Sequence, residues 1–161
     1  MTHRLLKYLA RDWRPGRAAS AGLLATLVYS IAMEGDKYFI GNHFNDVRFL
    51  EGMLGGVKKS KRVTIFAWLV HLLNGVALAE VYAAVVKRCL PGPGWLRGLI
   101  FGEAFVAAIW CLTPLADKYH PLIRRGEIPR LFNWRSFWQN LVRHAAYGIS
   151  LGLLYPNEAR A

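Results

Sequence analysis

Two histidines stand inside otherwise apolar stretches, and the same residues accompany each. Residues 71–82 read HLLNGVALAEVY and residues 144–155 read HAAYGISLGLLY; both obey His, three residues, Gly, two residues, Leu, three residues, Tyr. An ionisable side chain in such surroundings is costly unless it faces protein or water. Imidazole there can ligate iron, relay a proton or donate one hydrogen bond across a helix bundle. On a helix, Gly75 and Gly148 share the face of the histidine four residues before them. They leave room for a neighbouring helix or for a flat cofactor. The plainer reading of His71 and His144 is a pair of cross-bundle hydrogen bonds with tight glycine packing. The alternatives are a haem held through both axial positions, and a proton relay or quinone contact. Arg143 directly precedes His144. Its long side chain is expected to snorkel toward the loop side; in the cofactor reading it neutralises an acidic group such as a propionate or a lipid phosphate.

Glu80 and Glu103 form a second constellation. Counted from the short turn at 89–95, they fall at similar depth on adjacent helices, away from the histidines. They can share a proton on a proton or cation path, or each can be a satisfied buried carboxyl. There is no GxSxG, HExxH or phosphate-binding glycine loop, so a non-enzymatic protein is expected. Two histidines are too few for zinc when no carboxylate is expected at their depth, and no metal site is assigned. Cys89 and Cys111 are isolated thiols without CxxC spacing.

These residues need elements to hold them. The chain has 161 residues, 54% hydrophobic and 19% charged, and by length is a single domain. Four segments are nearly free of charge: 18–33, 63–86, 99–116 and 137–155. Each approaches the length that crosses a hydrocarbon layer of about 30 Å, and each is apolar all round rather than along one stripe. The expected fold is an all-α integral membrane protein with four transmembrane helices.

The halves repeat. Pro15-Gly16 precedes the first span and Pro93-Gly94 the third; Asp36-Lys37-Tyr38 follows the first and Asp117-Lys118-Tyr119 the third. The His-Gly-Leu-Tyr helix is the second span of each half. This predicts two tandem hairpins, 18–89 and 93–156, related by a pseudo-two-fold axis along the membrane normal. Residues 1–17 precede them as a basic amphipathic segment, in which RLLKYLARDWR (4–14) is expected to lie on headgroups as a short helix, and the first span, equivalent to the third, is expected to stay as a mature helix. Two longer loops, 39–61 with its KKSKR run and 120–135 with Arg124, Arg125, Arg130 and Arg135, are expected to cover the histidine side. The aspartate-lysine pairs of the triplets mark span ends.

The net charge of +11 on such a chain points to anionic lipid rather than nucleic acid. Lys and Arg outside the spans number nine on the side of the termini and eleven on the loop side. That is too even to set the orientation.

The HxxxGxxLxxxY pattern of the second and fourth spans, together with LPGPGWLRGLIFG at 90–102, resembles bacterial inner-membrane proteins of the YagU type. The likeness covers about the last two-thirds of the chain; the DKY triplets and the basic loops lie outside its pattern. It implies a four-span bundle in a bacterial inner membrane and brings no activity. The expected function is that of an accessory membrane subunit binding lipid or a larger complex. The alternatives are a haem redox protein using His71 and His144, and a small proton-coupled carrier that works as a homo-oligomer.

Overall fold

Short breaks in the apolar pattern set where each helix begins and ends. The computed structural model describes residues 13–156; within them the chain is helical, with no strand. Helix α1 (Pro15–Ile40) starts on Pro15, whose missing N–H costs nothing in a first turn, and stops at Gly41 with φ +65°. Asn45 caps α2 (Asp46–Gly55), its side chain accepting from Arg48 N at 2.9 Å. Helix α3 (Lys61–Ala84) ends in a single 3-10 turn, Val86–Arg88, and Pro91-Gly92-Pro93 then reverses the chain. Next come α4 (Gly94–Trp110), α5 (Thr113–Tyr119) and α6 (Pro121–Arg124). Helix α7 (Trp134–Leu154) is capped by Asn133, which accepts from Ser136 N at 3.0 Å.

Helices α1 and α3 are each long and apolar enough to cross a membrane. A third crossing exists if α4 and α5 count as one span, but they meet at a 51° bend. The straight span expected over 99–116 is therefore broken. Pro114, in the first turn of α5, withholds the N–H that would continue α4 and crowds the preceding turn. The first helix is longer than its uncharged stretch, running 26 residues and carrying Asp36 inside it. Helix α7 has 21 residues, about 31 Å of rise. It falls short of the apolar threshold because Gln139, Asn140, Arg143 and His144 all lie along it.

The bundle is turned inside out relative to a water-soluble one. Its centre is rich in small or polar residues: Ala18, Ala25, Ala67 and Ala79 are completely buried, with Thr26, Ser30 and His71 beside them, and Met33, Tyr82 and Leu151 fill the space between. Its perimeter carries the large apolar side chains, among them Ile31 (73% exposed), Ile65 (62%), Leu73 (64%) and Leu153 (61%). A chain folding in water would place these the other way round. Small residues between helices with large ones outside are what lipid-facing helices need, because hydrocarbon gives no reason to bury Leu or Ile.

Helix α1 packs on α3 and α7, and α4 packs on α7. The loops make a second layer at one end. Phe44, Leu122, Ile123, Ile128 and Leu131 form a separate apolar cluster there, and α2 rests on α3 and α6. The two DKY triplets do different work in this frame. Asp117 accepts from Leu131 N (2.6 Å) and Phe132 N (3.0 Å), holding the loop before α7. Asp36 points into the bundle. Residues 1–12 of the expected amphipathic segment lie outside the described residues. Trp13, next in line, donates from Nε1 to Glu80 at 2.6 Å.

Candidate functional site

Helix α7 carries polar residues at helical spacing, Ser136, Gln139, Asn140, Arg143, His144 and Tyr147, and all six face inward and are buried. Such a stripe can persist in a bundle only if each group finds a partner.

Arg143 is at its centre and is completely buried. Its Nε donates to Asp36 Oδ2 at 2.5 Å and its Nη2 to Asp36 Oδ1 at 2.9 Å, a two-pronged pairing. Its Nη1 reaches Asp46 Oδ2 at 2.7 Å, and Nη2 also donates to the Phe44 carbonyl at 2.9 Å. The side chain therefore does not snorkel: two carboxylates inside the protein outcompete the loop-side water. Gln139 donates to Asp36 Oδ1 (2.8 Å) and to the Asn42 carbonyl (2.7 Å), and Asn42 donates back to Gln139 Oε1 (2.7 Å). Tyr29 donates its hydroxyl proton to Asp46 Oδ2 at 3.1 Å. Asp46 arrives from α2, at the start of the loop layer. It contradicts the expectation that no carboxylate shares the depth of the histidines.

Beside this cluster lies a chamber of about 230 Å³ between α1, α2, α3, α4 and α7. Asp46, His71, Asn74, Asn140, His144 and Tyr147 supply its polar wall, and Tyr29, Phe49 and Phe105 supply aromatic faces. The two histidines are thus brought to one chamber. His71 Nε2 lies 3.1 Å from Ser30 Oγ, while Ser30 donates to the Thr26 carbonyl at 2.8 Å. A hydroxyl has one proton, so His71 Nε2–H is the donor and Nδ1 is left as an acceptor. His144 Nδ1 faces the Asn140 carbonyl at 2.9 Å and must donate to it, which leaves Nε2 as the free nitrogen. Both imidazoles pack on the same phenol: Tyr29 lies 5.5 Å from the His71 ring and 5.1 Å from the His144 ring, centroid to centroid. A macrocycle ligated from both sides would have to displace Tyr29 from its bond to Asp46. The chamber is also smaller than the roughly 300 Å³ at which pockets for larger organic ligands begin. These residues do not fit a haem.

The glycines serve helix contact. A Cβ on Gly75 would run into the Thr26 side chain, and Tyr147 donates its hydroxyl to the Gly75 carbonyl at 2.6 Å. A Cβ on Gly148 would fall on the backbone of Gly98, 2.8 Å from its carbonyl carbon. Glu80 and Glu103 have no hydrogen bond to each other. Glu80 accepts from Trp13, and Glu103 Oε2 is buried without a partner among the described residues. No group of three or more His, Cys, Asp or Glu side chains among the described residues can hold a metal ion.

Of the residues that stand out in the sequence, His71, His144 and Gly75 line this chamber and Arg143 borders it through Asp46, while Gly148 packs on Gly98 and Glu80 and Glu103 lie away from it. Sequence reasoning missed Asp36, Asp46, Tyr29 and Gln139. The signal for Gln139 was present as the polar stripe of α7. Asp46 carried none, since its place depends on how the loop folds back.

A polar-cored helical membrane protein is the class these features define. No protein-family model matches the sequence, and neither a curated protein nor a solved structure matches it.

Proposed function

We propose that this chain is a non-enzymatic accessory subunit of a bacterial inner membrane, held among anionic lipids and the helices of a larger complex. In this reading α7 is the fourth span, and the spans form two tandem hairpins about a pseudo-two-fold axis. The observation that carries it is the exposed apolar perimeter of the bundle, with Ile31, Ile65, Leu73 and Leu153 outside and an interior rich in alanine, glycine and polar groups. The glycine contacts support the repeat: Gly22 meets Gly75 in one hairpin as Gly98 meets Gly148 in the other. The location follows the resemblance to YagU-type proteins.

Lipid preference comes from the loop layer. Lys58, Lys59, Lys61 and Arg62 are exposed where α2 turns into α3, and an open groove there is lined by Arg48, Lys59, Lys61, Ser60 and Thr64 together with Glu51, which pairs with Arg48. Clustered cations at a headgroup boundary add about 1 kcal/mol each toward an anionic surface. The test is thermal stability in nanodiscs of phosphatidylglycerol against phosphatidylcholine. The chain should melt higher in the anionic lipid, and replacing Lys58, Lys59, Lys61 and Arg62 by Gln should remove the difference. Release of the protein from membranes by alkaline carbonate would overturn the reading.

A further inference from the structure

The buried cluster is not electrically balanced. Asp36 and Asp46 bring two negative charges and Arg143 one positive charge, all held in one hydrogen-bonded group. The remainder is one negative charge in a part of the molecule where an uncompensated charge is expensive. Its location can be read from the bonding. Both Asp36 oxygens are engaged, by Arg143 and Gln139. Asp46 receives Tyr29 and Arg143 on Oδ2 alone, is 24% exposed at its side chain, and lines the chamber. The excess charge therefore faces the chamber through Asp46 Oδ1.

The histidines and tyrosines of the wall have the same polarity. His71 and His144 have each spent one N–H on a protein acceptor, so the nitrogen left over in each neutral ring accepts. Tyr147 and Tyr29 have likewise given their protons away, to Gly75 and Asp46. Apart from the amides of Asn140, which spends one N–H on the Ser136 carbonyl, and of Asn74 at the edge, the chamber's polar groups are acceptors. It also offers the faces of aromatic rings, which attract a cation. Its volume of about 230 Å³ corresponds to on the order of eight waters at roughly 30 Å³ each. That is enough for an ammonium head and a short chain.

We propose that this chamber is a binding site for a small organic cation, a primary ammonium on a short apolar tail. The head donates to Asp46 and to the free nitrogens of the two histidines, and the tail lies toward Leu78, Phe105 and Ile109. Asn74, which is exposed, stands at the rim and marks the entrance.

The full chain in detergent, titrated with butylammonium chloride in a calorimeter, tests this. 1-Butanol, of the same shape without charge, and potassium chloride are the comparison ligands. Saturable binding of butylammonium, with neither comparison ligand binding, is expected. Asp46→Asn should weaken it by ~10-fold or more, since a hydrogen bond to a charged group contributes about 1.5–3 kcal/mol. Asn74→Trp should close the rim and abolish binding while leaving the ion pairs intact; it decides the matter if the Asp46 variant does not fold. Glu80→Gln should bind as the parent does. Equal binding of butanol, competition by potassium, or butylammonium binding unchanged in the Asn74 variant would each overturn the proposal.

Discussion

Arg143 on α7 grips both oxygens of Asp36 on α1, at 2.5 and 2.9 Å, across 107 residues of sequence. The pair joins the first and last helices of the bundle, and a third bond to Asp46 ties the loop layer to both. Removing the cation would leave the buried Asp36 and the partly exposed Asp46 without their shared partner. Arg143→Ala should therefore destabilise the protein by about 3–5 kcal/mol, the cost of breaking a buried pair from one side. Asp46→Asn should cost much less, because Arg143 keeps Asp36 and the cluster becomes neutral. Denaturant titration of both variants in the same detergent checks the order.

A gentler change probes the link between α3 and α7. Tyr147→Phe deletes only the hydroxyl that donates to the Gly75 carbonyl at 2.6 Å. The expected loss is about 1 kcal/mol, as for one neutral hydrogen bond, read as a lowered unfolding midpoint.

Helix contact at the glycines is less forgiving. Gly148→Val would drive methyl groups into the backbone of Gly98, which cannot yield as a flexible side chain would. A loss of about 1–3 kcal/mol or more follows from such overpacking. Gly16→Val, where a Cβ meets nothing within 4 Å, should be near neutral. Thermal melts of the two variants side by side give the comparison.

The loop layer holds a histidine that titrates with folding. His120 donates from Nε2 to the Phe49 carbonyl at 2.9 Å and accepts Ile123 N on Nδ1 at 3.4 Å. Burial lowers its pKa below the usual 6.5, against the opposing pull of the Phe49 carbonyl. The folded state thus holds the proton less well than the unfolded one. Stability from this residue is full above pH 6.5 and falls as pH drops below that value toward the folded pKa. His120→Gln should flatten the fall between pH 7 and 5 in melting temperature; an unchanged slope would show that His120 does not report on folding.

The apolar runs made the helices legible because crossing hydrocarbon leaves so few residue types available. The bend after Trp110 was written in Pro114 but lay inside an apolar run that reads as continuous. The histidines stood out because they were paired. An arginine near a span end ordinarily reaches water, so Arg143 is not legible as a buried residue; only Asp36 and Asp46 together make the interior preferable. Asp36 resembled a span boundary through its neighbours Lys37 and Tyr38. Asp46 reaches the chamber through the return of a loop, which local sequence does not encode.

A bundle embedded in lipid with the polar stripe of α7 turned inward has a direct signature in accessibility. Spin labels placed one at a time at Val142 and Leu153, both exposed, and at Ser136, completely buried, test it in nanodiscs. Exposed Cys89 and Cys111 would first be replaced by Ser. Labels at 142 and 153 are expected to be relaxed by oxygen and not by a water-soluble nickel chelate, and the label at 136 to be reached by neither. Relaxation of the labels at 142 and 153 by the nickel chelate would put that face of α7 in water and contradict the account.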